Sequence, residues 1–329
     1  MHKIDSIRQV EIELSSFCNA SCPLCSRNFF GYNSKELGYE IRHLSLGEVK
    51  TIFKPSFIKQ LHKILLQGNF GDFAMNPQTP EIVKYFLECN PNLDIDGYTN
   101  GGVQSIAWWK QLKDIKIFFA LDGIDSATHT LYRKDTNFDK VIENAKAFKE
   151  AGGVAVWRMI EFDHNQHQLK ACRTAAEDLG FLFVSVKNSK SSGPVFDQNK
   201  IYLHNIGNYK GSKNIQELMS YDILFEDIDL PPIGAINCES LSAIGIYVSS
   251  TGEVFPCCYM AHATGSYGKS STWAGVFNQQ LDPLIEKNNA LEYGLECAIA
   301  WFEKIKPTWA INSFKEGRLL YCENSCGKC

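Results

Sequence analysis

Short apolar runs alternate with longer amphipathic ones along the first 190 residues. The runs QVEIEL (9–14), KILLQ (63–67), LDIDGYT (93–99), KIFFAL (116–121), VAVWRMIEF (154–162) and FLFVSVK (181–187) read as strands. Between them the spacing turns helical. A helix is expected after a Ser45 N-cap. Another opens with Thr79 as cap and Pro80 at its first position. VQSIAWWKQLK (103–113) is a third. FDKVIENAKAFKE is a fourth, closed by Gly152 and Gly153, and NQHQLKACRTAAED is a fifth, stopped at Gly180.

Six strand–helix units imply a parallel sheet, since parallel strands need a crossover connection. An open doubly wound sheet and a partial barrel both fit this α/β pattern. In either, ligands gather at the C-terminal ends of the strands. That rule brings Cys18–Cys25, Gly68–Asp72, Thr99–Gly102 and Asp122–Gly123 to one pocket.

After residue 187 the pattern breaks. KNSKSSGPVFDQNK reads as a linker or lid, followed by an acidic FEDIDLPP. IGIYVSSTGEVFPCC reads as a hairpin turning near Thr251–Gly252, with Cys257 and Cys258 at its end. The expected division is 1–190, a linker or lid over 191–237, and a small domain over 238–329.

Charge and composition narrow the function. A net charge of −4 argues against a nucleic-acid surface, and no apolar run reaches the ~18 residues of a membrane span. The N-terminus lacks a signal-peptide core, so a cytoplasmic location is expected. Twelve cysteines in such a compartment suggest metal binding rather than disulfides. Cys89, Cys172 and Cys297 stand singly in helical patterns and read as small buried hydrophobes.

Cys18, Cys22 and Cys25 are spaced C-x3-C-x2-C after the first strand. Three thiolates on a four-iron cubane leave one iron open, whereas a zinc site would need a fourth ligand from elsewhere. The motif and its surroundings resemble the radical S-adenosylmethionine (radical SAM) superfamily, in its SPASM/twitch branch. GNFGD (68–72) resembles the family's glycine-rich loop, with Asp72 in place of Glu. TNGG (99–102) resembles its TNG loop, and FALDGID…HTLYR (119–133) its SLDG…H…YR stretch, with Ala120 in place of Ser. Leu24 stands where the family often has an aromatic residue.

The resemblance implies a partial (β/α)6 TIM-like barrel with a small C-terminal twitch/SPASM-like iron–sulfur domain. It implies a [4Fe-4S] cluster on the three cysteines whose open iron binds S-adenosylmethionine. Gly68, Asn69, Gly71, Asp72, Thr99, Asn100, Asp122 and Arg158 are the expected cofactor-binding residues. Taken alone, Gly68 and Gly71 fit a tight turn, Asp122 a cap or turn, and Arg158 a salt bridge within the sheet.

C-x13-G-x4-C from Cys238 through Gly252 to Cys257 resembles the start of a twitch or SPASM domain. An auxiliary [4Fe-4S] cluster on Cys238, Cys257, Cys326 and Cys329 follows, with Cys258 and Cys322 as alternates. Two cysteine pairs would also suit a zinc ribbon. The implied activity is reductive cleavage of S-adenosylmethionine to a 5′-deoxyadenosyl radical that takes hydrogen from a small-molecule or peptide substrate. A flavodoxin- or ferredoxin-like one-electron reductant is the expected partner. The short stretch before the first strand shows no winged-helix leader-binding domain, which weakens the peptide option. The alternatives are an epimerase with Cys258 or Cys322 as hydrogen donor, or a non-catalytic iron–sulfur or zinc protein.

Overall fold

The computed structural model describes residues 3–23, 25, 27, 40–187, 236–238, 240, 244–263, 280–311, 316–319, 322 and 326. Leu24, Cys329, the FEDIDLPP stretch and nearly all of the expected linker lie outside them.

All six expected strands form: β1 (Gln9–Ile12), β2 (Lys63–Leu66), β3 (Asp94–Thr99), β4 (Lys116–Ala120), β5 (Val154–Glu161) and β6 (Leu182–Lys187). They pair in parallel, each with the next in sequence. The sheet order is β6-β5-β4-β3-β2-β1-β7-β8, in which β7 (Gly245–Val248) joins β1 in parallel and β8 (Val254–Phe255) folds back antiparallel. From β1 to β6 the order never reverses. Right-handed crossovers then put every helix on one face, so the doubly wound alternative drops out and a singly wound, partial barrel remains.

The side-chain alternation of the strands follows from this layering. Val10, Ile12, Ile64, Leu66, Ile95, Ile117, Phe119, Ala155, Trp157 and Met159 are buried in one core with helix residues such as Val49, Phe86, Trp109 and Phe148. The opposite face carries Glu11, Asp96, Tyr98, Lys116, Phe118 and Arg158. At the strands' N-terminal ends it is closed by ion pairs: Lys63 reaches Asp94 (3.0 Å) and Asp96 (2.7 Å), and Lys116 reaches Asp96 (2.9 Å). The polar face is therefore a trough with a salt-bridged floor and an open mouth at the strands' C-terminal ends.

The five expected helices form with changes at their ends, those over 103–113 and 165–178 shortened to Ile106–Lys110 and Leu169–Asp178, and a helix over Ser126–Tyr132 is added to them. Ser45 caps α1 (Leu46–Ile52) through a full capping box with Glu48. Its pattern is cut at Lys54, because Pro55 cannot continue a helix and instead starts α2 (Pro55–Gln60). Thr79 begins α3 (Thr79–Cys89) as its first residue rather than its cap. α4 (Ile106–Lys110) is capped by Ser105. α5 (Ser126–Tyr132), α6 (Phe138–Glu150) and α7 (Leu169–Asp178) complete the layer. The hairpin turns where expected, with Gly252 at φ +87°. There a side chain would be strained and a Cβ would meet Leu291 at 2.8 Å. Of the three single cysteines, Cys172 is buried and Cys89 half-buried, but Cys297 is exposed. Among the described residues no helix is long and apolar enough to cross a membrane.

Candidate functional site

At the strands' C-terminal ends lies a cavity of about 390 Å³. It is lined by the three cysteines, the loop Gly68–Asp72, Thr99 and Asn100, and Arg158. Of the eight expected cofactor-binding residues, Asp122 is the one that stands apart. It is fully buried behind the wall and does not line the cavity. The expected loop residues Gly101, Gly102 and Gly123 do not line it either.

The loop after β1 is pinned to its neighbours. Cys25 N–H donates to Cys22 O (3.0 Å), and Ser21 N–H to Lys134 O (3.1 Å). Cys18 sulfur accepts from Ala20 N–H and from the Asn100 amide, both at 3.5 Å. Burial pushes the Cys18 thiol up to about 12 and the Cys22 thiol up to about 11. Bound to a metal or iron–sulfur cluster, these cysteines would be thiolates, so loading the site would release their protons. Each thiolate of a cubane sits on a different iron. Among the described residues no group of three or more His, Cys, Asp or Glu closes on a single ion.

The glycine loop owes its shape to close packing against the end of β1. A Cβ on Gly71 would lie 1.8 Å from Ser15 O, and one on Gly68 2.4 Å from the Glu13 carboxylate. Glu13 was not among the expected site residues, yet it holds the loop. Its Oε1 accepts from Phe70 N–H (2.7 Å) and Gly71 N–H (3.0 Å), and its Oε2 from Tyr247 of β7 (3.3 Å). Its apolar neighbours in sequence gave no hint of this; only the approach of β2 and β7 shows it.

Burial pushes Glu13 up to about 7, with its hydrogen-bond donors pulling the other way. The folded chain then holds a proton that the unfolded chain has lost between pH 4.5 and about 7. Stability should fall by about 3 kcal/mol as pH rises through that window and level off above it. Denaturant unfolding of the metal-free chain across this range should show the slope, and Glu13→Gln should reduce it, leaving the smaller contribution of Glu11, which burial pushes up to about 6.

Asp72 is likewise spent on the scaffold. Its carboxylate accepts from Thr99 Oγ1 (2.8 and 2.9 Å), Asn100 N–H (2.7 Å), the Asn100 amide (2.8 Å) and Ala74 N–H (2.9 Å). Thr99, Asn100 and Asp72 thus form one polar joint between the second and third loops. Asn100 in turn bonds Asn19 (2.9 Å), tying that joint to the cysteine loop. Arg158 projects from β5 towards Tyr98, its guanidinium 5.8 Å from the ring, and Tyr98 stacks on Phe118 at 4.5 Å. Burial, then the nearby Arg133 charge, lowers the Arg158 pKa, which an anion in the cavity would reverse. Tyr98, Phe118, Tyr132 and Arg133 line the cavity without having been expected there.

A second, apolar pocket is lined by Cys238, Cys257, Cys322 and Cys326 together with Trp309. Burial raises the Cys257 pKa, and the thiols of Cys322, Cys238 and Cys326 add to it. Cys322, an alternate in the sequence reading, is thus among the gathered four, while Cys329 lies outside the described residues. Cys258 points the other way. It is hydrogen-bonded to Glu11 on the polar face of the sheet, and its backbone carbonyl accepts from the Asn69 amide (2.8 Å).

Residues 12–160 match the family model described as the radical SAM superfamily. Among solved structures, Streptococcus suis SuiB bound to precursor peptide SuiA is similar with a TM-score of 0.58 and 16% identity, over 98% of this chain and 72% of that one. A histidine-tagged anSMEcpe with bound AdoMet is similar with a TM-score of 0.50 and 17% identity, over 76% of this chain and 74% of that one. At such identities the likeness is one of fold. No curated protein matches the chain.

Proposed function

We propose that the chain, whose residues 12–160 match the radical SAM superfamily model, is an enzyme that holds a [4Fe-4S] cluster on Cys18, Cys22 and Cys25 and binds S-adenosylmethionine in the adjoining cavity. The observation that carries this reading is the convergence, in one cavity, of the three thiols with the glycine loop, Thr99, Asn100 and Arg158. Such a cluster, when bound, supplies the electron that cleaves S-adenosylmethionine to a 5′-deoxyadenosyl radical able to take hydrogen from a substrate carbon.

The chain's own residues bind and orient. The N–H groups of Phe70 and Gly71 are taken by Glu13, so the loop's carbonyls remain for the methionine ammonium group. Arg158 is the cation for its carboxylate. Asp72 does not touch the cofactor through its carboxylate; it holds Thr99 and Asn100 in place. The trough below, with Tyr98 and Phe118, keeps water from the radical and leaves room for the substrate. A small molecule or a peptide remains the substrate class, and the fold shared with a peptide-bound structure supports the peptide option.

Cys238, Cys257, Cys322 and Cys326 would hold the auxiliary cluster. Four thiolates close its coordination, so its use is to accept the electron left on the substrate radical rather than to ligate substrate. After reconstitution the chain should bind about eight irons, falling to about four in Cys322→Ala and unchanged in Cys258→Ala. An external one-electron reductant would feed the first site.

Anaerobic reconstitution with dithionite and S-adenosylmethionine should yield 5′-deoxyadenosine. Tight zinc without iron would sink the proposal. The placement of Cys258 against Glu11, outside the second pocket, favours one further reading: an epimerase in which this thiol returns hydrogen to the substrate radical. Deuterium taken up from solvent without net oxidation would favour it over dehydrogenation.

A further inference from the structure

The cavity wall behind Cys22 holds an ion pair that the reading above leaves without a task. Arg133 Nε donates to Asp122 Oδ2 at 2.6 Å, with Asp122 fully buried and the Arg133 side chain 13% exposed. Burying such a pair is costly unless its remaining valences are met, and here they are. Asp122 Oδ1 accepts from Ile160 N–H (2.6 Å). Asp122 O accepts from the Asn165 amide (3.1 Å), which also reaches Ile160 O (2.9 Å).

A second chain of bonds fixes the arginine's backbone. Asp122 N–H donates to His129 Nδ1 (3.2 Å), so the neutral imidazole carries its proton on Nε2 and donates it to Thr136 Oγ1 (3.0 Å). Thr136 then donates to Arg133 O (2.7 Å). The far end of the guanidinium is thereby set against the cysteine loop. Arg133 Nη1 donates to Cys22 sulfur at 3.8 Å, and the guanidinium plane lies 5.1 Å from the Tyr132 ring.

The donors on the two sulfurs differ in kind. Cys18 sulfur receives neutral amides, from Ala20 and Asn100, while the Arg27 guanidinium donates to the Cys18 backbone carbonyl (3.1 Å). Cys22 receives a fixed cation. Hydrogen bonds and charge at the sulfurs are among the main controls on a cluster's potential, and a cation favours the reduced, more negative state.

We propose that Arg133, anchored by Asp122, is a positioning residue that raises the reduction potential of the cluster held by Cys18, Cys22 and Cys25. The proposal rests on the radical SAM reading. It gives Asp122 a role one step removed from the cofactor: it aims the arginine.

The test is a redox titration of the reconstituted full chain, followed by electron paramagnetic resonance. The N-terminal cluster is identified as the signal that S-adenosylmethionine perturbs. Arg133→Met combined with Asp122→Asn removes the cation without leaving a bare buried carboxylate, and should shift that signal to a lower potential. Asp122→Asn alone leaves the cation unbalanced and should shift it upward. Should the double variant take up no iron, Arg133→Lys serves instead: its compact ammonium cannot reach both Asp122 and Cys22, and a smaller downward shift is expected. A potential unchanged from wild type in the iron-loaded double variant, or in Arg133→Lys where that serves, overturns the proposal and leaves the function intact. Wild-type protein with no cluster responsive to S-adenosylmethionine overturns the function and this proposal with it.

Discussion

The Cys18→Ala/Cys22→Ala/Cys25→Ala variant is expected to form no 5′-deoxyadenosine above background from S-adenosylmethionine and dithionite, while keeping the iron of the C-terminal site. The loss should exceed the ~100-fold that changing a metal site's outer partners alone can cause. The reason is spatial. The first three thiols line a different pocket from Cys238, Cys257, Cys322 and Cys326, so emptying one set leaves the other's ligands in place. Product analysis and iron content on the same sample separate two outcomes. Loss of product with about half the iron retained supports two sites. Unchanged product would mean that the chemistry does not occur at these cysteines.

Gly71→Ala carries the second largest expected effect. The added methyl would lie 1.8 Å from Ser15 O and 2.7 Å from Ser16 Cα, both backbone atoms at the end of β1. No rotamer relieves that overlap, so the loop or the strand end must move. The Glu13 bonds to Phe70 and Gly71 N–H, and the Phe17 O bond from Asp72 N–H (2.8 Å), would be stretched together. A destabilisation of about 3 kcal/mol is expected, with loss of S-adenosylmethionine binding. Gly245→Ala in β7 is the control. Its new methyl would meet nothing nearer than 3.7 Å, so denaturant midpoints should move by less than about 1 kcal/mol. Equal effects of the two substitutions would refute the packing account of the glycine loop.

The strands were legible because each is a run of β-branched and aromatic residues bounded by a turn or a cap, and alternation needs no tertiary information. The motif cysteines and the residues after β2 and β3 were legible for a related reason: each sits one short loop beyond a recognisable strand. Asp122 shows where that logic ends. It follows β4 as Asn100 follows β3, but it turns inward to Arg133, eleven residues on, because α5 brings the arginine back. Glu13 reads in sequence as one polar position of an alternating strand. Its partners come from Phe70, Gly71 and Tyr247, the last of them more than two hundred residues away. Cys258 and Cys322 could not be told apart by spacing. What separates them is the direction of the chain after β8, where Cys257 faces Trp309 and Cys258 faces Glu11.

The parallel pairing of β7 with β1 has a consequence for how the chain acquires its structure. Gln9 meets Gly245 and Ile12 meets Val248, a separation that makes this the slowest ladder to close, since chain entropy opposes distant contacts. Until residues 245–248 dock, one side of β1 is a bare sheet edge, prone to pairing with other chains. The same strand leads directly into the first cysteine loop. Iron loading at Cys18–Cys25 is thus expected to follow, rather than precede, arrival of the C-terminal hairpin, and chains interrupted between 188 and 244 should aggregate in the absence of any mutation at the site.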